Sequence, residues 1–328
     1  MNIDIHSHVI PTQFWEASDE GQSWFGANLV QHDGNFYIDT MNRFAGPIEP
    51  NWRLNRDDRV KLMDSINVDM QVVSTPPYFF NYHLEPDEGA QSARLVNEDL
   101  LSYVNYDSKR FQALANVPLQ DVAKAVSELK WAMGNGFKGA ELSTNVNGLN
   151  YDDRSLWPFF KAAEDMDAFL FFHPHAPAGA DRMKSFYFAN TIGNPLDNTM
   201  AIASIIFGGL LDEYPSVKLC FAHGGGYACF GMPRMDRGFQ VRAEAKHNIS
   251  SLPSEYLKRI YYDCLTHGPE ELQYLLNKVG PDRVLLGSDF PFDMGLDSPP
   301  EWISQMQFLD DSAKDAILGG NAQMLLKI

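Results

Sequence analysis

Apolar runs alternate with amphipathic stretches along most of the chain. Eight short segments are apolar almost throughout, which is typical of strands that are buried on both faces. These segments are IDIHSH, VDMQVVST, FQALANVP, FKGAELST, AFLFFHPH, VKLCFAHGGG, RIYYDCLTH and DRVLLGSDFPF. Segments with helical periodicity lie between nearly all of them, among them RDDRVKLMDSIN, DVAKAVSELKWAMGNG and GPEELQYLLNKVG.

This alternation favours a closed (β/α)8 TIM barrel with helices at the C-terminus. A doubly wound open sheet is the alternative. No GxGxxG motif follows a strand, so a dinucleotide-binding half has no support. The sequence shows neither internal repeats nor a linker, and we predict a single domain over residues 1–328.

Residues 10–56 interrupt the regular pattern. They are rich in aromatic residues, Gly, Asn and Pro, and they contain DGNFYID, which is typical of one arm of a small hairpin. A long irregular segment inside a compact domain is usually a lid or a binding loop. We therefore expect an inserted lid directly after the first strand.

Charge and composition restrict the class of partner. The 328 residues have a formal net charge of −17, which disfavours binding to nucleic acid or anionic lipid. No apolar run reaches the length of a membrane span, and no signal-peptide pattern is visible. The three cysteines form no CxxC pair, which is typical of a reducing compartment. We expect a soluble cytoplasmic protein that acts on a small molecule.

Histidines are concentrated where the predicted strands end. The residues at or just after these ends are His6, His8, His173, His175, His223, His267 and Asp289. All strand ends of a barrel meet on one face, so these side chains converge on one mouth. Alternate residues of a strand share a face, and an HxH pair can therefore chelate one ion, although a structural role for the pair alone stays open.

The combination of residues indicates a metal site. His6 and His8, together with His173 and Asp289, supply three imidazoles and a carboxylate, which is a common set for a catalytic divalent metal. His223 is either a further ligand or a general acid/base, and we favour the second role because three imidazoles already serve the metal. Taken alone, Asp289 would be interpreted as a cap before a turn; near a metal it can bind the ion or move a proton.

Other residues at the predicted mouth are candidates for substrate binding, each with a structural alternative. The glycines of FAHGGG either leave N–H groups free for an anion or only permit tight packing. Arg234 can bind a carboxylate of its own or a neighbouring subunit, or be simply solvated. His175 and His267 are pocket or outer-shell candidates. An aromatic cluster either stacks on a flat substrate or packs against residues 10–56, and it contains Tyr78, Phe79, Phe80 and Tyr82.

DIHSHVIP, FFHPH, FAHGGG and GSDFPF, in this order, resemble the amidohydrolase superfamily. Within it they are similar to the metal-dependent decarboxylase branch typified by aminocarboxymuconate-semialdehyde decarboxylase, and the resemblance covers nearly the whole chain. It implies a (β/α)8 barrel with one divalent ion, Zn²⁺ in most cases and Mn²⁺ in some relatives, and no organic cofactor. No lysine stands where two-metal relatives have a carbamylated bridging ligand. The resemblance implies His6, His8, His173 and Asp289 as metal ligands and His223 as the acid/base.

The resemblance also implies a homodimer or a higher homo-oligomer. Arg234 matches an arginine that reaches a neighbour's active site and holds a substrate carboxylate. Asn190 and Phe292 are assigned to the substrate pocket as well. The chain departs from the typifying enzyme at three positions: Ile38 aligns with a second substrate-binding arginine, Asn190 aligns near a pocket tryptophan, and His175 stands where tryptophan is common. We consider Arg43 and Arg53 as replacements for the missing arginine.

The function implied by the resemblance is non-oxidative decarboxylation of an unsaturated or aromatic carboxylic acid. The substrate is aminocarboxymuconate semialdehyde-like or hydroxybenzoate-like. His223 and Asp289 would move a proton to the carbon that bears the carboxylate, while the metal neutralises charge. The same ligands also suit a hydrolase, possibly of a C–C bond in a ring-fission product, or a hydratase. A non-enzymatic metal-binding protein is disfavoured, because the acid/base set is intact.

Overall fold

The computed structural model describes residues 1–40 and 43–328. The strands are β1 (Ile3–His8), β2 (Asn28–His32), β3 (Asn35–Thr40), β4 (Arg43–Ala45), β5 (Met70–Ser74), β6 (Phe111–Asn116), β7 (Gly139–Ser143), β8 (Phe169–His173), β9 (Lys218–Phe221), β10 (Tyr261–Asp263) and β11 (Val284–Leu285). The helices are α1 (Thr12–Asp19), α2 (Arg56–Ser65), α3 (Pro86–Tyr106), α4 (Val122–Gly134), α5 (Trp157–Asp165), α6 (Asn194–Gly208), α7 (Leu210–Glu213), α8 (Ala228–Val241), α9 (Pro269–Val279), α10 (Pro299–Ser304), α11 (Asp311–Asp315) and α12 (Asn321–Leu326).

Eight parallel strands form the main sheet, in the order β1-β5-β6-β7-β8-β9-β10-β11. The segment that follows β11 returns to β1 and closes the sheet. Ile5 N donates to Leu286 O at 2.9 Å, and Asp289 N donates to His6 O at 2.8 Å. The predicted (β/α)8 barrel is confirmed, and the open-sheet alternative is wrong because the segment after β11 hydrogen-bonds to β1.

The barrel interior is an apolar cluster contributed by strands all round the sheet. It contains Ile3, Ile5, Met70, Val72, Leu114, Phe169, Phe171, Cys220 and Leu285, with residues of α12 packed against it. The ring centroid of Phe171 lies 4.9 Å from that of His6, so this apolar layer is the floor beneath the mouth. Burying one such phenylalanine stabilises the fold by about 1.5–3 kcal/mol.

An irregularity in β1 places its two histidines at the mouth. The register of β1 against β5 shifts between Asp4 and Ser7. In a regular strand alternate residues share a face, so Ile5 and His6 would point to opposite sides. The shift lets Ile3 and Ile5 join the interior cluster while His6 and His8 still face the mouth.

Residues 10–56 fold into a small unit of their own secondary structure. After α1, strands β2, β3 and β4 form a three-stranded antiparallel sheet. The predicted hairpin is confirmed, and it turns at Asp33 and Gly34, which have φ values of 49° and 82° as a type I′ turn requires. The Trp52 ring contacts the Phe292 ring with centroids 4.9 Å apart, so this segment lies against the mouth. Its action as a lid stays a prediction.

The structure also bears on the expectations about membrane spans and cysteines. In residues 1–40 and 43–328, none of the helices combines the length and apolar character that crossing a membrane requires. All three cysteines are buried as free thiols. The cytoplasmic location stays a prediction.

Candidate metal centre

Four side chains from three parts of the barrel wall form a buried cluster at the mouth. His6 and His8 come from β1, His173 from the end of β8, and Asp289 from the segment after β11. One ligand atom of each lies within 4.8 Å of the others. Asp289 Oδ1 lies 3.2 Å from His6 Nε2, 3.1 Å from His8 Nε2 and 3.7 Å from His173 Nε2.

The unsatisfied ring nitrogens of this cluster fit a bound cation. In the described part of the chain, the buried Nε2 atoms of His6 and His173 form no hydrogen bond of ordinary geometry, although Asp289 Oδ1 lies near both. The opposite nitrogens are occupied: His6 Nδ1 lies 2.7 Å from Asp263 Oδ2, and His173 Nδ1 lies 3.0 Å from Pro174 O. Outer acceptors of this kind hold the proton on Nδ1 and leave the Nε2 lone pair free for a metal. The cluster therefore fits a single metal site.

The electrostatics of the cluster concentrate one negative charge on Asp289. Burial opposes that charge, but His6 and the neighbouring imidazoles hold the pKa of Asp289 well below its usual value. Burial also opposes a charge on His6, yet Asp289 and Asp263 raise the pKa of His6 to about 10. Burial lowers the pKa of His8 to about 4 and that of His173 well below its ordinary value. These directions favour a protonated His6 beside an ionised Asp289 when no metal is bound.

We expect metal binding to release this proton. The metal needs the Nε2 lone pair of His6, so below pH 10, where His6 is protonated in the metal-free protein, proton and metal compete. The apparent metal affinity should rise by about tenfold per pH unit for one released proton. Titration calorimetry in buffers with different ionisation enthalpies measures the number of protons directly. An affinity that is constant between pH 6.5 and 8.5 would contradict the expectation.

His223 lies on the other side of Asp289. Its Nε2 is 3.4 Å from Asp289 Oδ2, whereas the three clustered imidazoles face Oδ1. The side chain is 14 % exposed, compared with 0 to 5 % for those three. One carboxylate therefore lies between a buried metal site and a partly accessible imidazole.

The glycines after His223 serve packing. Their N–H groups all donate within the protein: Gly224 to Asp263 Oδ1 at 2.8 Å, Gly225 to Ala222 O and Gly226 to His223 O, both at 3.0 Å. A Cβ on Gly226 would lie 2.0 Å from Pro195 O. The interpretation of these N–H groups as a free anion cradle is therefore wrong, because the tight turn uses each of them.

Three non-glycine residues of the mouth have left-handed backbone. The φ angles are 55° at His223, 62° at His267 and 61° at Asp289. Such conformations cost free energy and persist where the surrounding structure enforces them, which is frequent at functional sites. The backbone at the mouth is thus shaped to aim these side chains.

Two cavities meet at Asp289. The larger has a volume of about 730 Å³ and is lined by His223, His267, Asn190, Tyr227 and Tyr274, among others. The smaller, of about 70 Å³, is lined by His173, Tyr78, Trp52, Phe292 and Asn190, among others. Among the described residues that line them there is no Lys or Arg. A mainly apolar pocket with a few polar groups at its floor is typical of a small-molecule site.

The family model described as amidohydrolase matches residues 3–328. The chain belongs to the amidohydrolase family. A 2-amino-3-carboxymuconate-6-semialdehyde decarboxylase of Dictyostelium discoideum is 33 % identical over 334 residues, which cover 98 % of this chain and 90 % of that protein. A gamma-resorcylate decarboxylase of a Polaromonas species is 26 % identical over 292 residues, covering 83 % of this chain and 87 % of that protein.

A solved structure supports the same fold for this amidohydrolase. A dihydroxybenzoic acid decarboxylase of Polaromonas, crystallised with manganese and the inhibitor 2-nitroresorcinol, superposes with a TM-score of 0.80. It is 20 % identical and covers 99 % of this chain and 96 % of its own. The family predicted from the sequence motifs, and the decarboxylase branch within it, are confirmed by these relatives.

Two predicted substrate contacts of the amidohydrolase, Phe79 and His175, line neither cavity of the described structure, and a third, Arg234, does not reach the cavities of its own chain. Phe79 is fully buried in the core and packs against Phe14. Adjacent residues of the turn after β5 point to different sides, so of the pair Tyr78 and Phe79 it is Tyr78 that lines the cavity. His175 packs near the Phe80 ring and is not among the described residues lining the two cavities. Arg234 is exposed on α8 and, in the described structure, lines neither cavity of its own chain.

The two candidate replacements for the missing arginine have different outcomes. Arg53 pairs with Asp19 at 2.9 Å and lines a third cavity away from the metal cluster, so it does not supply the replacement within this chain. The side chain of Arg43 lies outside the described residues. Ile38, at the aligned position, is fully buried.

Sequence reasoning missed several polar residues around the cluster. Asp263, at the end of β10, holds His6 through one oxygen and accepts Gly224 N–H through the other. Glu141 of β7 is 1 % exposed, and burial raises the pKa of its carboxyl to about 8. Asp263 lies in YYDCLTH and Glu141 in FKGAELST, and each is an acidic residue within an apolar strand segment. An acidic residue among apolar neighbours was the sequence feature that could have identified them.

Proposed function

We propose that this amidohydrolase is a metal-dependent, non-oxidative carboxy-lyase that releases CO2 from an aromatic or unsaturated carboxylic acid. The observation that carries the proposal is the position of Asp289, with the metal cluster on Oδ1 and His223 on Oδ2, at the floor of a cavity of about 730 Å³. The relatives named above are decarboxylases, which supports decarboxylation rather than hydrolysis or hydration.

The cofactor is one divalent ion held by His6, His8, His173 and Asp289. When bound, it supplies positive charge that neutralises a substrate oxygen. We propose Zn²⁺ from the donor set of three imidazoles and one carboxylate. The manganese in the Polaromonas decarboxylase supports Mn²⁺ as the alternative, and elemental analysis of the purified protein distinguishes the two.

The residues of the chain supply the proton that decarboxylation requires. His223 donates a proton to the carbon that bears the carboxylate, and a C–H bond forms there. The C–C bond to the carboxylate then breaks, its electron pair restores the conjugation of the substrate, and CO2 leaves. Asp289 Oδ2 orients the imidazole and stabilises its protonated form before the transfer.

The apolar walls around this step restrict access of water. Phe292 contacts both the His8 ring, with centroids 5.4 Å apart, and Trp52 of the inserted segment. Tyr78 lies against Phe292 with ring centroids 5.7 Å apart. Excluding water strengthens the electrostatic interactions of the site and favours protonation by His223 rather than by solvent.

We propose a homodimer in which Arg234 binds an acidic group of the substrate in the neighbouring subunit. Two observations support this: the described linings of both cavities contain no cation, and Arg234 shares α8 with the 80 % exposed Phe230. Aromatic residues are enriched at protein interfaces, and Phe230 also lines the larger cavity, so a subunit packed on α8 would lie beside that cavity. An arginine at such an interface can form a two-point contact with a carboxylate.

Mixing two inactive variants tests the neighbouring-subunit role. In a hybrid dimer of His223→Gln and Arg234→Gln subunits, one of the two sites has both residues intact. Random exchange in an isologous dimer should therefore restore about a quarter of the wild-type activity. Sedimentation measures the oligomeric state of the same samples. A monomer, or a mixture that stays inactive after verified exchange, contradicts the arrangement.

A product assay tests the function itself. Metal-loaded protein is incubated with hydroxybenzoates, resorcylates and ring-fission semialdehydes, while CO2 and ultraviolet absorbance are monitored. We expect one equivalent of CO2 and a product that keeps its ring or diene. Two fragments without CO2 would indicate the hydrolase, and a product heavier by one water would indicate the hydratase. Metal binding without turnover of any of these acids would contradict the enzymatic proposal.

A further inference from the structure

His8 differs from the other two clustered imidazoles in the support of its outer nitrogen. His6 has the carboxylate of Asp263 at 2.7 Å, and His173 has the carbonyl of Pro174 at 3.0 Å. The Nδ1 of His8 instead lies 3.3 Å from the Ser74 hydroxyl oxygen. The same Nδ1 lies 3.9 Å from Glu141 Oε1. A backbone hydrogen bond to Thr75 also acts on the His8 ring.

Glu141 is an unusual residue for the inside of a barrel. Its carboxyl is almost fully buried, and among the residues that the structure describes neither oxygen has a hydrogen-bond partner of ordinary geometry. A buried carboxyl group without partners is costly, so one that persists in a core has a role for its acceptor atoms. The polar groups that act on it from nearby are His6, the Ser74 hydroxyl and the carboxylate of Asp289.

We propose that Ser74 and Glu141 form a relay that positions His8 for the metal. Ser74 Oγ accepts the Nδ1 proton of His8, and its own hydroxyl proton turns toward Glu141. The relay holds His8 in the tautomer with a free Nε2 lone pair and makes that nitrogen a better donor to a cation. Ser74 can also donate to Ser7 O at 3.4 Å, and because this contact is long the hydroxyl proton can turn toward Glu141 instead.

Ser74 and Glu141 are thus positioning residues, which act on the metal through His8 rather than on the substrate. Glu141 belongs to β7 and Ser74 to β5, whereas His8 belongs to β1. Residues from three strands of the barrel therefore orient one imidazole. The inference rests on the metal site of the proposed function but not on decarboxylation, because metal binding is measured without substrate.

The test compares the metal affinity of relay variants with that of a matched control. Ser74→Ala and Glu141→Leu break the relay, and we expect the affinity for Zn²⁺, from competition with a chelating dye, to fall by about 10–100-fold. Ser74→Thr and Glu141→Gln keep the acceptor atoms, so these variants should retain most of the wild-type affinity for Zn²⁺. Glu128→Gln is the control, because Glu128 is also buried, at 6 % exposure, but pairs with Arg94 on the helical layer.

A second readout separates positioning from a general loss of stability. In cobalt-loaded protein the visible absorption reports the ligand geometry, and we expect it to change in Ser74→Ala and to stay unchanged in Glu128→Gln. If Glu141→Leu does not fold, Ser74→Ala and its rescue by threonine decide the question. Relay variants that bind metal within about twofold of the wild type, with an unchanged cobalt spectrum, would overturn the proposal and show that the Thr75 backbone contact is sufficient support for His8.

Discussion

Replacing His223 by glutamine is expected to lower kcat for CO2 release by about 10²–10⁴-fold, the usual contribution of a positioned general acid or base. Glutamine has a similar length and can keep a hydrogen bond to Asp289 Oδ2, but it cannot donate a proton to carbon. Metal content should stay the same, since His223 faces Oδ2 and the metal cluster faces Oδ1. Steady-state kinetics and elemental analysis of one preparation measure both quantities.

A matched substitution shows whether this loss is specific. His247 is an exposed histidine beyond the end of α8, and His247→Gln should leave kcat within about twofold of the wild type, as is usual for surface changes. A His223→Gln enzyme that keeps more than a tenth of the wild-type kcat, with full metal content, would remove His223 from the proton transfer.

Removing the metal is expected to abolish turnover. The charge stabilisation that a bound ion supplies is worth several kcal/mol, which corresponds to about a thousandfold or more in rate. The stripped protein should also unfold at a lower temperature, because a ligand that binds only the native state stabilises it. Dialysis against a chelator at pH 7, followed by activity assay and thermal unfolding, measures both effects.

Adding metal back gives the control for this experiment. Stoichiometric Zn²⁺ or Mn²⁺ should restore activity and thermal stability to the stripped wild type. His6→Ala, which removes a ligand and the partner of Asp263, should recover neither under the same conditions. Full activity in metal-free protein, verified by elemental analysis, would contradict the metal-dependent function.

The sequence predicted the strands and the metal cluster because both depend on simple geometry. Continuous apolar runs identify strands that are buried on both faces. Closure of the barrel then brings the strand ends to one face, independently of the loop sequences. His6, His8, His173 and Asp289 could therefore be grouped from their positions at strand ends. The same reasoning placed His223 at the mouth, where the structure has it against Asp289.

Residues whose role depends on direction could not be predicted in this way. Tyr78 and Phe79 are neighbours in a short turn, and only the backbone geometry decides which one faces the cavity. The glycine N–H groups donate hydrogen bonds within one tight turn, and the sequence GGG alone does not predict that turn. Arg234 is exposed and lines neither cavity of its own chain, which becomes visible only when the position of α8 is known.

Glu141 and Asp263 were missed for a different reason. Each is a single acid in or at the end of an apolar strand, and its partner comes from a strand distant in sequence, β1 in both cases. The register that brings strands together is set by the whole barrel, so no local pattern contains it. A buried acid in an apolar run remains a useful signal, since charges are rarely buried without a partner.

The two oxygens of Asp263 make His6, a proposed metal ligand, and His223, the proposed proton donor, mechanically dependent on each other. Oδ2 holds the His6 ring, and Oδ1 holds the first N–H after His223. A displacement of either group is transmitted to the other through one rigid side chain in the barrel wall. The cavity walls, by contrast, include Trp52 of the inserted segment and Asn190 ahead of α6, which lie outside the barrel sheet. Substrate range can thus diverge, or be redesigned, by exchanging those segments while the chemical centre keeps its alignment.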